Sequence, residues 1–123
     1  MNALEISMDV LEDFLSENNN IIVLALLSCN LYDIPLQGSL VVRNIEHLRI
    51  PNNKITGLKD DSFLEYVNLT EIDLINNRIS HISKYSLASL VSLTAVYLLD
   101  NPLKFLDIVL SVLQTQHFNY FFI

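Results

Sequence analysis

The sequence predicts an α/β solenoid, built from four stacked repeats with a different kind of segment at each end. Three observations carry that prediction. Four segments align without gap or insertion at a spacing of 24 residues. Within each segment apolar residues alternate as they do in a short strand. Residues 1–20 and 105–113 break the pattern and space their apolar side chains as helices do.

The alignment is anchored on Asn53, Asn77 and Asn101, with Cys29 one period earlier. Around each anchor the order is apolar, two variable, apolar, one variable, apolar, two variable, Asn or Cys, one variable, apolar. Copies start at Ile21, Ile45, Leu69 and Leu93. The chain thus divides into residues 1–20, an acidic amphipathic cap or partial repeat; residues 21–104, the repeats; and residues 105–123, a helical cap with an aromatic tail. Alternation puts Leu24/Leu26, Leu48/Ile50, Ile72/Leu74 and Val96/Leu98 on the inward face of each strand. One repeat cannot bury that face alone, but neighbours about 4.8 Å apart share a continuous core. The recurring Asn then sits in a turn with buried backbone groups, where an amide donates to and accepts from adjacent rungs. Cys29 admits two readings, a reactive thiol or a small buried rung of the same ladder. Its register with the asparagines, and the lack of a His close by in sequence, favour the rung.

This pattern resembles the leucine-rich-repeat family, whose signature is LxxLxLxx(N/C)xL. The resemblance runs from Ile21 to about Leu106. It implies a right-handed superhelix with a short parallel sheet on the concave side and a helical or irregular convex side. The 24-residue length, the apolar residues Ile34, Leu58, Ile82 and Leu106 after the signature, and Phe63 and Leu87 five positions on, are similar to the subclass typical of extracellular and receptor ectodomains. The first repeat departs at Ser39, with Leu40 as its substitute one place later; the fourth departs at Ser111, where the repeat passes into a cap. Asn101-Pro102-Leu103 resembles the start of a family C-terminal cap, but Phe105 and Asp107 stand where such caps carry cysteines, so a disulfide-locked cap is excluded.

At the N-terminus Leu4, Met8, Leu11 and Leu15 share one helical face, with Glu5, Asp9, Glu12, Asp13 and Glu17 mostly opposite and Asn18-Asn19-Asn20 as a stop. Two readings stand: a cap over the first strand's exposed edge, or an acidic helix for a partner. At the other end Phe105, Leu106, Val109, Leu110 and Leu113 have helical spacing, and Phe118, Tyr120, Phe121, Phe122 and Ile123 form the aromatic tail.

Composition removes several function classes. A single Cys forbids an intramolecular disulfide or a multi-Cys metal site. Gly38 and Gly57 lie too far apart for a phosphate-cradling loop. A formal charge of −7 with scattered bases argues against nucleic acid. The longest apolar run, Ile21 to Leu27, is far short of the roughly 18 residues that cross a bilayer, and Met1 to Asn20 lacks the features of a secretory signal. His47, His81 and His117 have no metal-ligand spacing, Asp60-Asp61-Ser62 reads as turn capping, and no spacing selects a triad, so we expect neither cofactor, metal nor catalytic residue.

Function is therefore expected on the outward positions of the strands. These are Val23, His47, Glu71 and Ala95, then Ala25, Arg49, Asp73 and Tyr97, then Leu27, Pro51, Ile75 and Leu99. The candidate partner-binding patch is His47, Arg49, Glu71, Asp73, Ile75, Tyr97 and Leu99, with Arg49 and Tyr97 as anchors. The competing reading makes Arg49, Glu71 and Asp73 a solvated cross-strand charge pairing. Pro51 is expected to interrupt the pairing at its strand end. The expected function is a non-catalytic protein-binding module, the alternative a structural fragment of a larger ectodomain. Exposed ends leave self-association open. The repeat subclass points outside the cell, whereas the N-terminus and the cysteine-free caps point inside. Asn68-Leu69-Thr70 is an N-glycosylation acceptor triplet that would matter only in the secretory pathway.

Overall fold

The computed structural model describes residues 6–114 and the backbone of residues 121–122. Strands β1 (Val23–Ala25), β2 (His47–Arg49), β4 (Glu71–Asp73), β6 (Ala95–Tyr97) and β7 (Phe121–Phe122) form one sheet in the order β1-β2-β4-β6-β7. All its pairs are parallel. Leu24, Leu48, Ile72 and Val96 lie side by side across it. Strand β3 (Gly57–Leu58) pairs in parallel with β5 (His81–Ile82) to make a small second sheet. A Cβ on Gly57 would lie 3.3 Å from the His81 carbonyl, so the close approach of these strands favours glycine there.

The inward side chains supply the core. Leu48, Ile50, Ile72, Leu74 and Val96 are wholly buried, and each such burial is worth about 1.5–3 kcal/mol. Leu40 does not substitute for Ser39. The 3-10 turn at Leu40–Val42 sends Leu40 to solvent, 67% exposed, and Val42 inward, fully buried. Val42 thereby heads a row at the 24-residue spacing with Tyr66 and Leu90, both buried. Leu106 also departs from expectation: helix α2 (Phe105–Leu113) begins one residue earlier, takes the chain off the repeat path and leaves Leu106 exposed.

The recurring Asn joins the rungs through both ends of its amide. Asn53 Oδ1 accepts from the N–H groups of Cys29 (2.9 Å) and Leu31 (3.1 Å), while Nδ2 donates to the carbonyls of Leu26, Ile50 and Pro51. Asn77 accepts from Ile55 and donates to Ile50 and Leu74; Asn101 accepts from Ile79 and donates to Leu74 and Leu98. Every one of these asparagines reaches back to the preceding rung. Cys29 belongs to the first of the described rungs and reaches none before it; its thiol donates to Leu27 O at 3.4 Å. Ser28, Asn52, Asn76 and Asp100, just before the four anchors, all have φ between 52° and 61°. That left-handed conformation is tolerated best by Asn and Asp among residues with a Cβ, which accounts for the Asn-Asn and Asp-Asn pairs.

Helix α1 (Met8–Glu17) starts at Ser7, whose hydroxyl accepts from the Val10 N–H, and ends at Asn18, whose side chain donates to Phe14 O. It packs on the 3-10 turn and buries Leu11 and Leu15. Leu4 and Glu5 lie outside the described residues, as do Phe118, Tyr120 and Ile123. Ile22, Val23 and Leu27 stay exposed, so the helix closes the end of the core without folding over the first strand. Helix α2 packs on β5, and the two residues of β7 extend the sheet beside β6, a pairing the aromatic composition of the tail did not foretell.

Candidate interaction surface

Parallel in-register pairing aligns the outward residues into rows, because each strand repeats its neighbour one rung away. His47 stands opposite Glu71, and Arg49 opposite Asp73, which in turn stands opposite Tyr97. The next row, Leu27, Pro51, Ile75 and Leu99, follows the same register through Ser28 N–H to Pro51 O, Asn52 N–H to Ile75 O and Asn76 N–H to Leu99 O. Pro51 therefore does not break the pairing. It lies beyond β2, where its carbonyl is used and no donor is required.

Glu71 is the hub of the surface. Its Oε2 lies 2.6 Å from His47 Nδ1, a contact close enough for an ion pair once the imidazole is protonated although the ring N–H is not aligned for a hydrogen bond. Its Oε1 accepts from the Tyr97 hydroxyl at 3.2 Å. That hydrogen bond, followed by the Glu71 charge, burial and the Asp73 charge, pushes the Tyr97 hydroxyl above its ordinary pKa against a smaller opposing pull from Arg49. Asp73 turns Oδ1 to the Ile75 N–H at 3.0 Å. Arg49 is exposed and makes no ion pair within 4 Å among the described residues. The expected alternative, a cross-strand pairing of Arg49 with Glu71 and Asp73, is thus replaced by His47, Glu71 and Tyr97 holding one another, with the guanidinium left for something else.

Leu99 is 56% exposed, Ile75 half-buried and Leu27 55% exposed. The candidate patch omitted Leu27, although the wholly apolar row 27, 51, 75, 99 was the signal for it. Ala95, counted among the outward positions, is buried where β7 pairs alongside it.

A family profile for the leucine-rich repeat matches residues 43–103. The chain belongs to the leucine-rich-repeat family. A leucine-rich-repeat protein of Leptospira interrogans has a similar structure, with a TM-score of 0.58 and 16% identity over 98% of this chain. The chain spans about a third, 34%, of that protein's length. No protein of curated function matches the sequence significantly. Leucine-rich repeats are in general protein-interaction modules.

The other singled-out residues of this leucine-rich-repeat chain are dispersed. Asn68 is exposed at the other rim of the strands, where Nδ2 donates to Arg43 O at 2.6 Å, in a shallow cavity of about 530 Å³ shared with Asn44, Glu46 and Thr70. His81 faces Asp107 of α2 at 3.7 Å, and His117 lies outside the described residues. Ser62 accepts from the Lys59 N–H within its own turn, whereas Asp60 accepts from the Ser83 hydroxyl one repeat on, a bond between repeats rather than a turn cap. Burial pushes the Cys29 thiol above its usual pKa. In the native chain it is expected to react with a disulfide reagent at least about tenfold more slowly than in urea, a rate read by absorbance; equal rates would restore the reactive-thiol reading.

Proposed function

We propose that this chain is a non-catalytic module that binds a protein partner across the outward face of β1, β2, β4 and β6, with the helical ends acting as caps. The observation that supports this reading most is the Arg49 guanidinium, without an ion pair among the described residues, set beside an apolar row of Leu27, Pro51, Ile75 and Leu99. An apolar strip with one desolvatable cation and an adjoining tyrosine is the composition of an interface centre. Glu71 accepts from the Tyr97 hydroxyl, which lowers the ordering entropy that Tyr97 has left to lose on binding.

The test is a pull-down with the double variant Arg49→Ala, Tyr97→Ala beside a control at an exposed position outside these rows, Val67→Ala. Proteins retained by the wild type and the control are expected to be lost from the double variant, each anchor being worth about 2 kcal/mol, or some thirtyfold. Circular dichroism establishes that the variant is folded. Unchanged binding by the folded double variant removes the surface from consideration. A second reading makes the chain one stretch of a longer receptor or secreted ectodomain with its ligand site elsewhere, and the 34% coverage of the Leptospira interrogans protein favours it. Transcript sequence containing no signal segment upstream of Met1 and no further repeats either upstream of Met1 or downstream of Ile123 would end that reading.

A further inference from the structure

We propose that the two ends of the solenoid are halves of one interface, and that each is occupied by a second copy of this chain stacked head to tail. The main sheet is wholly parallel, with β1 at one edge and β7 at the other, and no described strand pairs beyond either. The Ile22 carbonyl and the Leu26 N–H are turned to β2, at 3.0 and 2.9 Å. By alternation, the N–H and C=O groups of Val23 and Ala25 point to the open side. In a parallel sheet every strand offers one edge to its predecessor and the other to its successor. The outer edge of β7 in one copy is therefore complementary in polarity to the outer edge of β1 in the next.

The side chains agree with this pairing. The β1 end exposes Ile22 and Val23, and its helix α1 exposes Val10 and Phe14; the opposite end exposes Phe105 and Leu106 of α2, 80% and 64% accessible. An open strand edge flanked by apolar side chains pairs with another chain unless something covers it. Charge does not oppose the contact: helix α1 carries Asp9, Glu12, Asp13 and Glu17 and no base, whereas in residues 80–114 Lys84 and Lys104 balance Asp100 and Asp107, so the acidic end meets a neutral one. Because the two patches differ, the contact is heterologous and does not close on itself at two copies. It uses neither Arg49 nor Tyr97.

Sedimentation velocity on the full chain from about 1 to about 500 µM tests this by mass action. The apparent mass is expected to rise beyond twice the 14.1 kDa of the monomer. Ala25→Pro removes a donor from the open edge while leaving the bonds to β2, and Val23→Lys is a second block at the same end should the proline unfold the chain. Phe105→Glu with Leu106→Glu blocks the other end at two solvent-exposed positions. Each blocked variant is expected to stay monomeric alone, and an equimolar mixture of the two to give a single dimer and nothing larger, since one free end of each kind remains. A wild type that is monomeric throughout overturns the proposal. So do blocked variants that associate like the wild type, or a mixture that stays monomeric while the wild type associates. None of these outcomes bears on the pull-down above, which reads a different surface.

Discussion

Asn53→Ala is expected to destabilise the chain by about 3–5 kcal/mol, a large share of the roughly 5–15 kcal/mol that a domain possesses. The substitution removes a small side chain, so lost packing is not the cause. It orphans the N–H groups of Cys29 and Leu31 and the Leu26 carbonyl, all bonded to this one amide, whereas the Ile50 carbonyl keeps its bond from Asn77. Each buried group left unsatisfied costs about 1–3 kcal/mol, and relaxation recovers only part of the sum. Urea denaturation followed by circular dichroism measures the loss; a change below about 1 kcal/mol would mean that water replaces the amide and the ladder is dispensable. Asn101→Ala is expected to cost less, because that rung is partly open to solvent and makes one bond fewer to the rung before it.

Tyr66→Ala is expected to be nearly as damaging, about 3–5 kcal/mol, through the cavity left by a fully buried ring. The ring meets Phe63 edge to face, with centroids 6.3 Å apart, and its hydroxyl donates to Pro35 O at 2.6 Å. Tyr66→Phe isolates the hydroxyl and is expected to cost about 1–2 kcal/mol, because the carbonyl loses its donor. Burial also pushes the Tyr66 pKa well above its ordinary value. The sign follows from linkage. Below the unfolded pKa of about 10 both states keep the proton and stability is unaffected by it, whereas above about 10 the unfolded chain ionises first and stability falls as pH rises. Tyr97, raised by Glu71, acts in the same direction. Comparing urea midpoints at about pH 8 and about pH 11 for the wild type, Tyr66→Phe and Tyr97→Phe separates the two contributions; equal alkaline losses in all three would assign the effect to other groups.

The solenoid was legible in the sequence because burial in a stacked repeat recurs at a fixed interval. A one-residue slip would turn Leu48 or Ile72 to solvent, so the period is enforced by the core itself. The inward residues and the reach of the asparagines between rungs follow from that register. What the register does not contain was not legible. Strand β7 lies outside the repeats, has only two residues and pairs through backbone groups, which carry no side-chain signature. Val42 displaced Leu40 because the 3-10 turn, rather than apolarity, decides which side chain points inward. On the outward face the competing reading paired Arg49 with the carboxylates; Arg49 does share a row with Asp73, but Asp73 turns Oδ1 to the Ile75 N–H, and the contact that forms joins His47 to Glu71 in the neighbouring row. The left-handed residues were visible as Asn52-Asn53, Asn76-Asn77 and Asp100-Asn101, and only their shared turn conformation gives the first member of each pair its meaning.

The backward reach of the asparagines also orders events on the ribosome. The turn of the first repeat has no acceptor for the Cys29 and Leu31 N–H groups until Asn53 has been synthesised, and the second turn waits in the same way for Asn77. Each repeat is finished by its successor, so folding during synthesis lags translation by one period and advances from the N-terminus, the direction in which nascent domains generally fold.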